Sequence, residues 1–420
     1  MNVEPTPGAP ERPLKIALLS YRAHPEVGGQ GVYVRALGRG LRSLGHEVTV
    51  VSGPPYPEVD DDVALVRLPS LDLYRPEDPF RRPRLREFRS GIDVAEYLLM
   101  CTGAFPEPLT FSLRAAQHLR HVGKRFDVVH DNQCLGYGML DIARRHPTVT
   151  TIHHPISIDR RMALEHASTP SKRLAQRRWY SFVGMQARVA RRVGRVITVS
   201  ESATTDIVAD FGVVPERLSV VHNGVDAELF RPLPHIERRD DTIVTVASSD
   251  QPSKGLAHLV EAVAKLRTER DVDLMVIGKG GEGTTMSGLI ERYGLEGHVH
   301  RLGRIDALEM VERYAAASVA VVPSLYEGFS LPAVEAMSCG IPLVSTTGGA
   351  LREVIGNEAG LLVPPADAGA LAQSVARLLD DRALRDRMGQ AGRGRVLERF
   401  TWRAAAAATV DVYRDVIASC

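Results

Sequence analysis

The chain has 420 residues, 44% of them hydrophobic and 25% charged, with a formal net charge of +1. That length exceeds what one hydrophobic core organises, so two or three domains are expected. The near-neutral balance argues against a nucleic-acid binder, which would show a broad positive field. No apolar run approaches the roughly 18 to 20 residues of a membrane span. The cysteines Cys101, Cys134, Cys339 and Cys420 share no disulfide or metal spacing, which fits reduced thiols and a cytoplasmic location.

Residues 1–13, acidic and proline-rich, read as a flexible leader without the apolar stretch of a signal peptide. Lys15 to Ser20 then reads as a strand, followed by a loop holding Gly28-Gly29-Gln30-Gly31, a helix to Gly45 and a strand from Glu47 to Ser52, which is a βαβ unit. Val63 to Leu68 adds a further strand. From Pro69 to Pro108 the pattern dissolves into prolines, arginines and isolated aromatics, an insertion long enough to suggest a functional loop region.

Alternation resumes with a helix from about Phe111 and strands at Phe126–His130, Thr148–His153, Val196–Ser200 and Leu218–His222. One long basic helix is expected from Ser171 to Arg192. The proline-rich stretch from Phe230 to Asp241 reads as a linker. A second series of strands follows at Thr242–Ala247, Asp273–Ile277, His298–Leu302, Ala320–Val322, Pro342–Ser345 and Leu361–Val363, and a helix from Trp402 to Ile417 ends the pattern.

Near-continuous apolar strands alternating with helices imply parallel sheets covered on both faces. The expected architecture is α/β, with two doubly wound Rossmann-like domains facing a cleft, at 14–231 and 232–401. In open parallel sheets ligands bind beyond the carboxyl ends of the strands. Gly28–Gly31, His153, Lys254, Gly278–Gly283 and Glu327–Leu331 all follow strands, and in this reading all line the cleft.

Pro323 to Gly340 carries the densest chemistry. Glu327 lies on the loop after an apolar strand, and Glu335 about one turn into a helix starting near Leu331. The free N–H groups of that helix start form an anion seat between the two carboxylates. Carboxylates accept paired hydrogen bonds from vicinal hydroxyls, so this pair around a phosphate seat suggests a molecule with sugar at both ends, such as a nucleotide sugar. Lys254, opening a helix after a strand, is a natural diphosphate partner, and Gly28-Gly29 lets backbone approach a ligand closely.

Gly278-Lys-Gly-Gly-Glu-Gly283 matches the G-x-G-x-x-G pattern, but the acidic residue expected about 20 positions on is missing, so it reads as a tight turn and not as an NAD site. No His, Cys or carboxylate cluster has metal-ligand spacing. The segment 171–192 combines Lys172, Arg173, Arg177, Arg178, Arg188, Arg191 and Arg192 with Trp179, Tyr180 and Phe182. Such a helix either contacts an anionic membrane peripherally or buries its aromatics in an ordinary domain.

Taken in this order, the motifs resemble those of the retaining glycosyltransferases of family 4, which have the two-domain GT-B fold. The resemblance spans Lys15 to the last helix. It is carried by Glu327-Gly-Phe-Ser-Leu-Pro-Ala-Val-Glu335, which looks like the E-x7-E signature of that family. Gly28-Gly29, Thr151-Ile-His153, Asn223-Gly-Val-Asp226, Lys254-Gly255 and Gly348-Gly349-Ala-Leu-Arg-Glu353 support it.

By that resemblance Glu335 binds the nucleotide ribose and Glu327 the donor sugar. Gly328, Phe329, Ser330 and Leu331 line the sugar diphosphate, Lys254 neutralises the leaving diphosphate, and Gly29 admits the phosphates. His153 meets the sugar at the reaction centre, and backbone at Gly303, Arg304 and Ile305 holds the base. The final helix, about 402–420, is implied to cross back onto the first domain.

The resemblance implies metal-independent, retaining transfer of a hexose from a UDP- or GDP-sugar to a hydroxyl acceptor, with no further cofactor. The alternatives are a sugar-nucleotide epimerase on the same fold, an NAD-dependent oxidoreductase, and a non-catalytic sugar-nucleotide-binding protein. One departure stands out: Ser249 occupies the position of a second diphosphate cation, and Arg304 and Lys279 are candidates to replace it. The DxD at Asp271–Asp273, a metal motif of a different glycosyltransferase architecture, opens a strand at the wrong end for a site and reads as coincidence.

Overall fold

The computed structural model describes residues 12–23, 29–75, 77–246, 252–278 and 285–420. The chain divides into two compact units. The first comprises Met1–Thr198, Thr204–Val221 and Ala405–Cys420, and the second Val199–Ala203 and His222–Ala404.

The sheet of the first unit contains β1 (Lys15–Ser20), β2 (Glu47–Ser52), β3 (Ala64–Arg67), β4 (Val128–Asn132), β5 (Thr148–Ile152), β6 (Arg195–Thr198) and β7 (Leu218–Val220). They lie in the order β3-β2-β1-β4-β5-β6-β7, all parallel. The second unit holds β8 (Thr242–Val246), β9 (Asp273–Ile277), β10 (Val299–Gly303), β11 (Val319–Val322), β12 (Leu343–Thr346) and β13 (Gly360–Val363). These are again parallel, in the order β10-β9-β8-β11-β12-β13.

Both sheets are doubly wound, so the strand order reverses between β1 and β4 in one and between β8 and β11 in the other. A crevice opens at such a reversal because the loops on either side of it leave toward opposite faces. The central strands carry apolar runs: Ile16, Ala17, Leu18 and Leu19 of β1 and Val319, Val321 and Val344 near the second switch point are fully buried. Helices cover both faces, as continuous apolar strands require.

Two expectations need correction. The long basic helix of 171–192 is in fact a helix at Pro170–Trp179, a 3-10 turn at Tyr180–Phe182 and a further helix at Val183–Ala190, preceded by a helix at Ile156–Glu165. The break falls at Trp179, Tyr180 and Phe182, whose rings turn onto neighbouring aromatics of the same unit instead of continuing a helical stripe.

The patternless stretch 69–108 contains a helix at Gly91–Cys101, started by a Ser90 cap and an Asp93 side chain that accepts from the Ser90 N–H at 2.8 Å. That helix is fixed by a buried ion cluster, in which Arg114 donates to Asp93 at 2.6 Å and also pairs with Glu96, itself 1% exposed. No helix of the described residues is long and apolar enough to cross a membrane.

The last helix, Trp402–Ala418, belongs from Ala405 onward to the first unit. Its Tyr413 is fully buried, with the hydroxyl 2.6 Å from His130 Nδ1, while His130 Nε2 lies 2.7 Å from Thr151 Oγ1. Burial pushes the His130 imidazole down to about 3, so the ring is neutral and depends on both partners. Tyr413→Phe leaves Nδ1 without its partner and is expected to lower the unfolding free energy by about 1–3 kcal/mol, read from denaturant melts. An unchanged midpoint would show that the bond is dispensable.

Candidate active site

The switch point of the second sheet lies between the loops that follow β8 and β11, and these loops carry Lys254 and Glu327. Lys254 Nζ donates to Glu327 Oε1 at 2.8 Å, and Ser324 Oγ donates to the same oxygen at 2.7 Å. Among the described residues no hydrogen bond reaches the other carboxylate oxygen. Lys254 stays 29% exposed along its side chain and Glu327 12%.

Backbone fit holds this loop in place. Leu325 N–H donates to Ser253 O at 2.7 Å, and Ala350 N–H to Glu327 O at 2.9 Å. Gly255, at φ +67°, and Gly349, at φ +64°, pack so closely that an added Cβ would sit 1.9 Å from Pro323 O and 2.2 Å from Glu327 O respectively. Only glycine satisfies both the left-handed backbone and that approach.

Beyond Glu327 the chain turns at Ser330, which adopts a left-handed conformation at φ +82°, and enters the helix Leu331–Ser338 with Pro332 in its first turn. Its first N–H groups point out of the helix start and make an anion seat. Among the described residues the buried Ser330 hydroxyl has no hydrogen-bond partner. Phe329 is buried against Phe400 and His222, and Gly328 O accepts from Ser200 Oγ at 2.7 Å.

Glu335 lies one turn into the helix. Among the described residues its carboxyl makes no hydrogen bond or ion pair, and loss of surrounding solvent pushes it up to about 7. Glu327 and Glu335 are therefore unlike: one is held by a cation, the other is unpaired and poised to be ionised by a hydrogen-bonding ligand. Gly303 closes β10 at φ +66°, and Ile305 packs against the same apolar cluster as Phe329 and Leu331. Ser249 and Lys279 lie outside the described residues.

The remaining motifs of this unit are supports. Glu353 accepts from His222 Nε2 at 2.8 Å and from Glu201 N–H at 2.9 Å, and these bonds hold its carboxyl below the usual range against the opposing effect of burial. Gly224 packs on the Thr401–Trp402 backbone, where a Cβ would lie 2.3 Å from Trp402 N. Asp273, at the amino end of β9, pairs with His298 at 3.1 Å. Among the described residues no group of three His, Cys, Asp or Glu side chains could hold a metal ion.

In the first unit the switch point between β1 and β4 is bordered by the helix Gly29–Ser43 and by His153, the first residue after β5. Gly28 lies outside the described residues. His153 N–H donates to Gln133 Oε1 at 2.8 Å, and its Nε2 donates to Asn132 Oδ1 at 2.7 Å, which leaves Nδ1 as an acceptor. Tyr33, one turn into the helix, sets its ring edge-on to His153 at 4.4 Å between centroids.

Loss of solvent, with His154 alongside, pushes the His153 imidazole down to about 4, so it is neutral at pH 7. Gln133 and Leu135 take left-handed conformations, at φ +55° and +52°. Asp131 accepts from Leu135 N–H at 2.9 Å and Thr150 Oγ1 at 3.0 Å, yet burial raises it to about 6. Asn132, Gln133 and Ser324 did not stand out in the sequence, although the post-strand position that marks His153 also marks Gln133, and Asn132 ends β4.

Two doubly wound parallel units, with a lysine–glutamate pair and a helix start at a switch point, have the architecture of the GT-B class of glycosyltransferases. Comparison with known proteins agrees: residues 233–395 match the family described as glycosyl transferases group 1, and residues 27–229 match glycosyltransferase family 4. The chain belongs to glycosyltransferase family 4.

A curated relative, the MMP α-(1→4)-mannosyltransferase of Mycolicibacterium hassiacum, is 50% identical over 96% of this chain and 99% of its own length. A D-inositol 3-phosphate glycosyltransferase of Catenulispora acidiphila is 30% identical over 96% of this chain and 95% of its own. Among solved structures, sucrose-phosphate synthase from Thermosynechococcus elongatus aligns with a TM-score of 0.70 at 25% identity, covering 96% of this chain and 99% of that one. Anabaena HepE, solved in complex with UDP and glucose, shares the fold at a TM-score of 0.68 and 19% identity, covering 95% and 99%.

Two measurements probe this construction. Gly349→Ala forces a Cβ into Glu327 O from a left-handed backbone, so the unfolding free energy is expected to drop by about 2 kcal/mol and sugar-donor turnover to fall with it. Wild-type stability in that variant would refute the close approach.

His153 has a folded pKa below its unfolded value of about 6.5. Its contribution to stability is therefore complete above about pH 6.5 and is lost as pH falls toward 4. In thermal melts His153→Asn is expected to flatten the decline across that window. An identical decline in both proteins would show that His153 does not titrate there.

Proposed function

We propose that this glycosyltransferase moves a mannosyl residue from a nucleotide diphosphate sugar to a hydroxyl of a carbohydrate acceptor, with retention of configuration and without a metal ion. The observation that carries the reading is the Lys254–Glu327 pair at 2.8 Å beside the start of the helix Leu331–Ser338. The mannosyl specificity follows the relative that is 50% identical and named an α-(1→4)-mannosyltransferase.

When the donor enters, its diphosphate faces the helix N-terminus and the Lys254 ammonium, which meet the negative charge that develops as the sugar–phosphate bond breaks. The buried, unpartnered Ser330 hydroxyl supplies a donor at the same seat. Glu327, with one oxygen fixed by Lys254 and Ser324, offers the other to sugar hydroxyls. Glu335 accepts the paired ribose hydroxyls, and the base lies along Gly303 to Ile305.

His153, neutral and with Nδ1 free to accept, meets a hydroxyl of the transferred sugar. Retention follows if the departing phosphate oxygen takes the acceptor proton on the face the phosphate leaves. No second catalytic carboxylate of the glycosidase kind is then required.

The test is a panel of GDP- and UDP-sugars assayed for transfer to manno-oligosaccharides, with the product anomer read by proton NMR and turnover measured with and without chelator. Lys254→Ala is expected to lower kcat by on the order of 10²–10³, and Glu327→Ala to lower kcat/KM comparably. The GDP- or UDP-mannose that serves should yield an α-linked product at a rate indifferent to chelator. Unchanged turnover in both variants would falsify the site, and a β-linked product the retention.

A further inference from the structure

The first unit holds a carboxyl that the transfer reaction above does not use. Glu107, the first residue of the helix Glu107–Val122, is 8% exposed. Among the described residues its Oε2 is buried without a hydrogen bond, and its nearest cation is Arg22 Nε at 3.5 Å. A buried carboxyl oxygen left without a hydrogen bond is costly, and where one persists a ligand donor is the natural complement. Arg22, two residues beyond β1, keeps 33% of its side chain exposed, so the pair opens to solvent on the arginine side.

Chain and packing place this pair at the carboxyl edge of the sheet, beside its switch point. Pro108 O, next to Glu107, accepts from Cys134 Sγ at 3.0 Å in the loop after β4, and Gly136 of that loop packs so closely that a Cβ would lie 2.2 Å from the same oxygen.

Two residues before Glu107, Phe105 belongs to a group of rings contributed by segments far apart in the chain. Phe105 and Trp179 lie 5.2 Å apart between centroids, Tyr74 and Phe105 5.2 Å, Tyr74 and Trp179 5.7 Å, and Tyr74 and Phe80 5.4 Å. Tyr74 is tied to the helix approach by its hydroxyl, which donates to Ala104 O at 3.2 Å, and it lies within the fields of Glu107 and Arg22.

None of these rings is buried, and Phe80 is 59% exposed while held at φ +62°. A bulky residue kept in the left-handed region costs about 1–3 kcal/mol, and here no burial offsets that cost. A half-buried aromatic wall with one exposed ring, beside an under-satisfied carboxyl, is the composition of a ligand site. Ring faces take the C–H face of a sugar, and the carboxyl and guanidinium take its hydroxyls.

We propose that Arg22 and Glu107, with the wall of Tyr74, Phe80, Phe105 and Trp179, form the subsite that holds the carbohydrate acceptor. The inference rests on the proposed transfer to a carbohydrate, and binding tests it independently of turnover. The chain has two tryptophans, so Trp402→Phe leaves Trp179 as the sole tryptophan, excited selectively at wavelengths where tyrosine does not absorb.

In that background, α-(1→4)-mannotetraose is expected to change the emission saturably, and vesicles of phosphatidylglycerol are not. Phe80→Ala and Glu107→Gln should each raise the half-saturating concentration about ten-fold, equivalent to one lost hydrogen bond or contact of about 1.4 kcal/mol. Leu85→Ala, 92% exposed on the same insertion, should leave it unchanged. In kinetics the two site variants should raise the apparent KM for mannotetraose by a similar factor, with the donor KM within about two-fold.

Absence of a saturable change, a response to vesicles alone, or unaltered half-saturation in both variants would overturn the subsite. Failure of every nucleotide mannose to act as donor would count instead against the transfer reading, while the titration still decides this one.

Discussion

The approach of two glycine backbones to one loop governs what the second unit does. Gly255 and Gly349 bring their chains against Pro323 O and Glu327 O with no room for a methyl group. That contact sets where Glu327 points, and Glu327 in turn sets where Lys254 waits. Ser324 completes the arrangement by sharing the Glu327 oxygen that Lys254 uses. The charge of the pair is thus pre-placed by backbone fit instead of by long flexible side chains finding one another, and such preorganisation is what electrostatic catalysis requires.

The two switch points have opposite electrostatic character. The second unit keeps a cation, a carboxylate and the positive end of a helix together. The first gathers groups whose charged forms burial disfavours: His130 and His153 are pushed down to about 3 and 4 by loss of solvent, and Asp131 and Glu107 are raised to about 6 and 8 by burial. One edge is suited to meeting phosphate and the other to reading hydroxyls by hydrogen bonds.

Parallel doubly wound sheets, unit count and the post-strand positions of His153, Lys254 and Glu327 were legible because apolar runs and glycine or proline punctuation are local signals. Most expected strands are found within two residues of their positions. What was not legible depends on contacts distant in the chain. The helix at Gly91–Cys101 relies on Arg114 to neutralise Asp93 and Glu96, and no sequence expectation placed it. The break at Trp179 arises because that ring packs on Tyr74 and Phe105 across long stretches of chain. The pairing of Lys254 with Glu327, 73 residues apart, likewise follows from the sheet order and not from either motif alone.

The bond between Tyr413 and His130 has a consequence for how the chain is made. The residues that complete the second unit end at Ala404, whereas the first unit is finished only by Ala405–Cys420. On the ribosome, where domains ordinarily fold from the amino end, the order is inverted. The later-encoded unit has all its parts first, and the earlier one waits with the Nδ1 of His130 unsatisfied until the last turns of helix emerge.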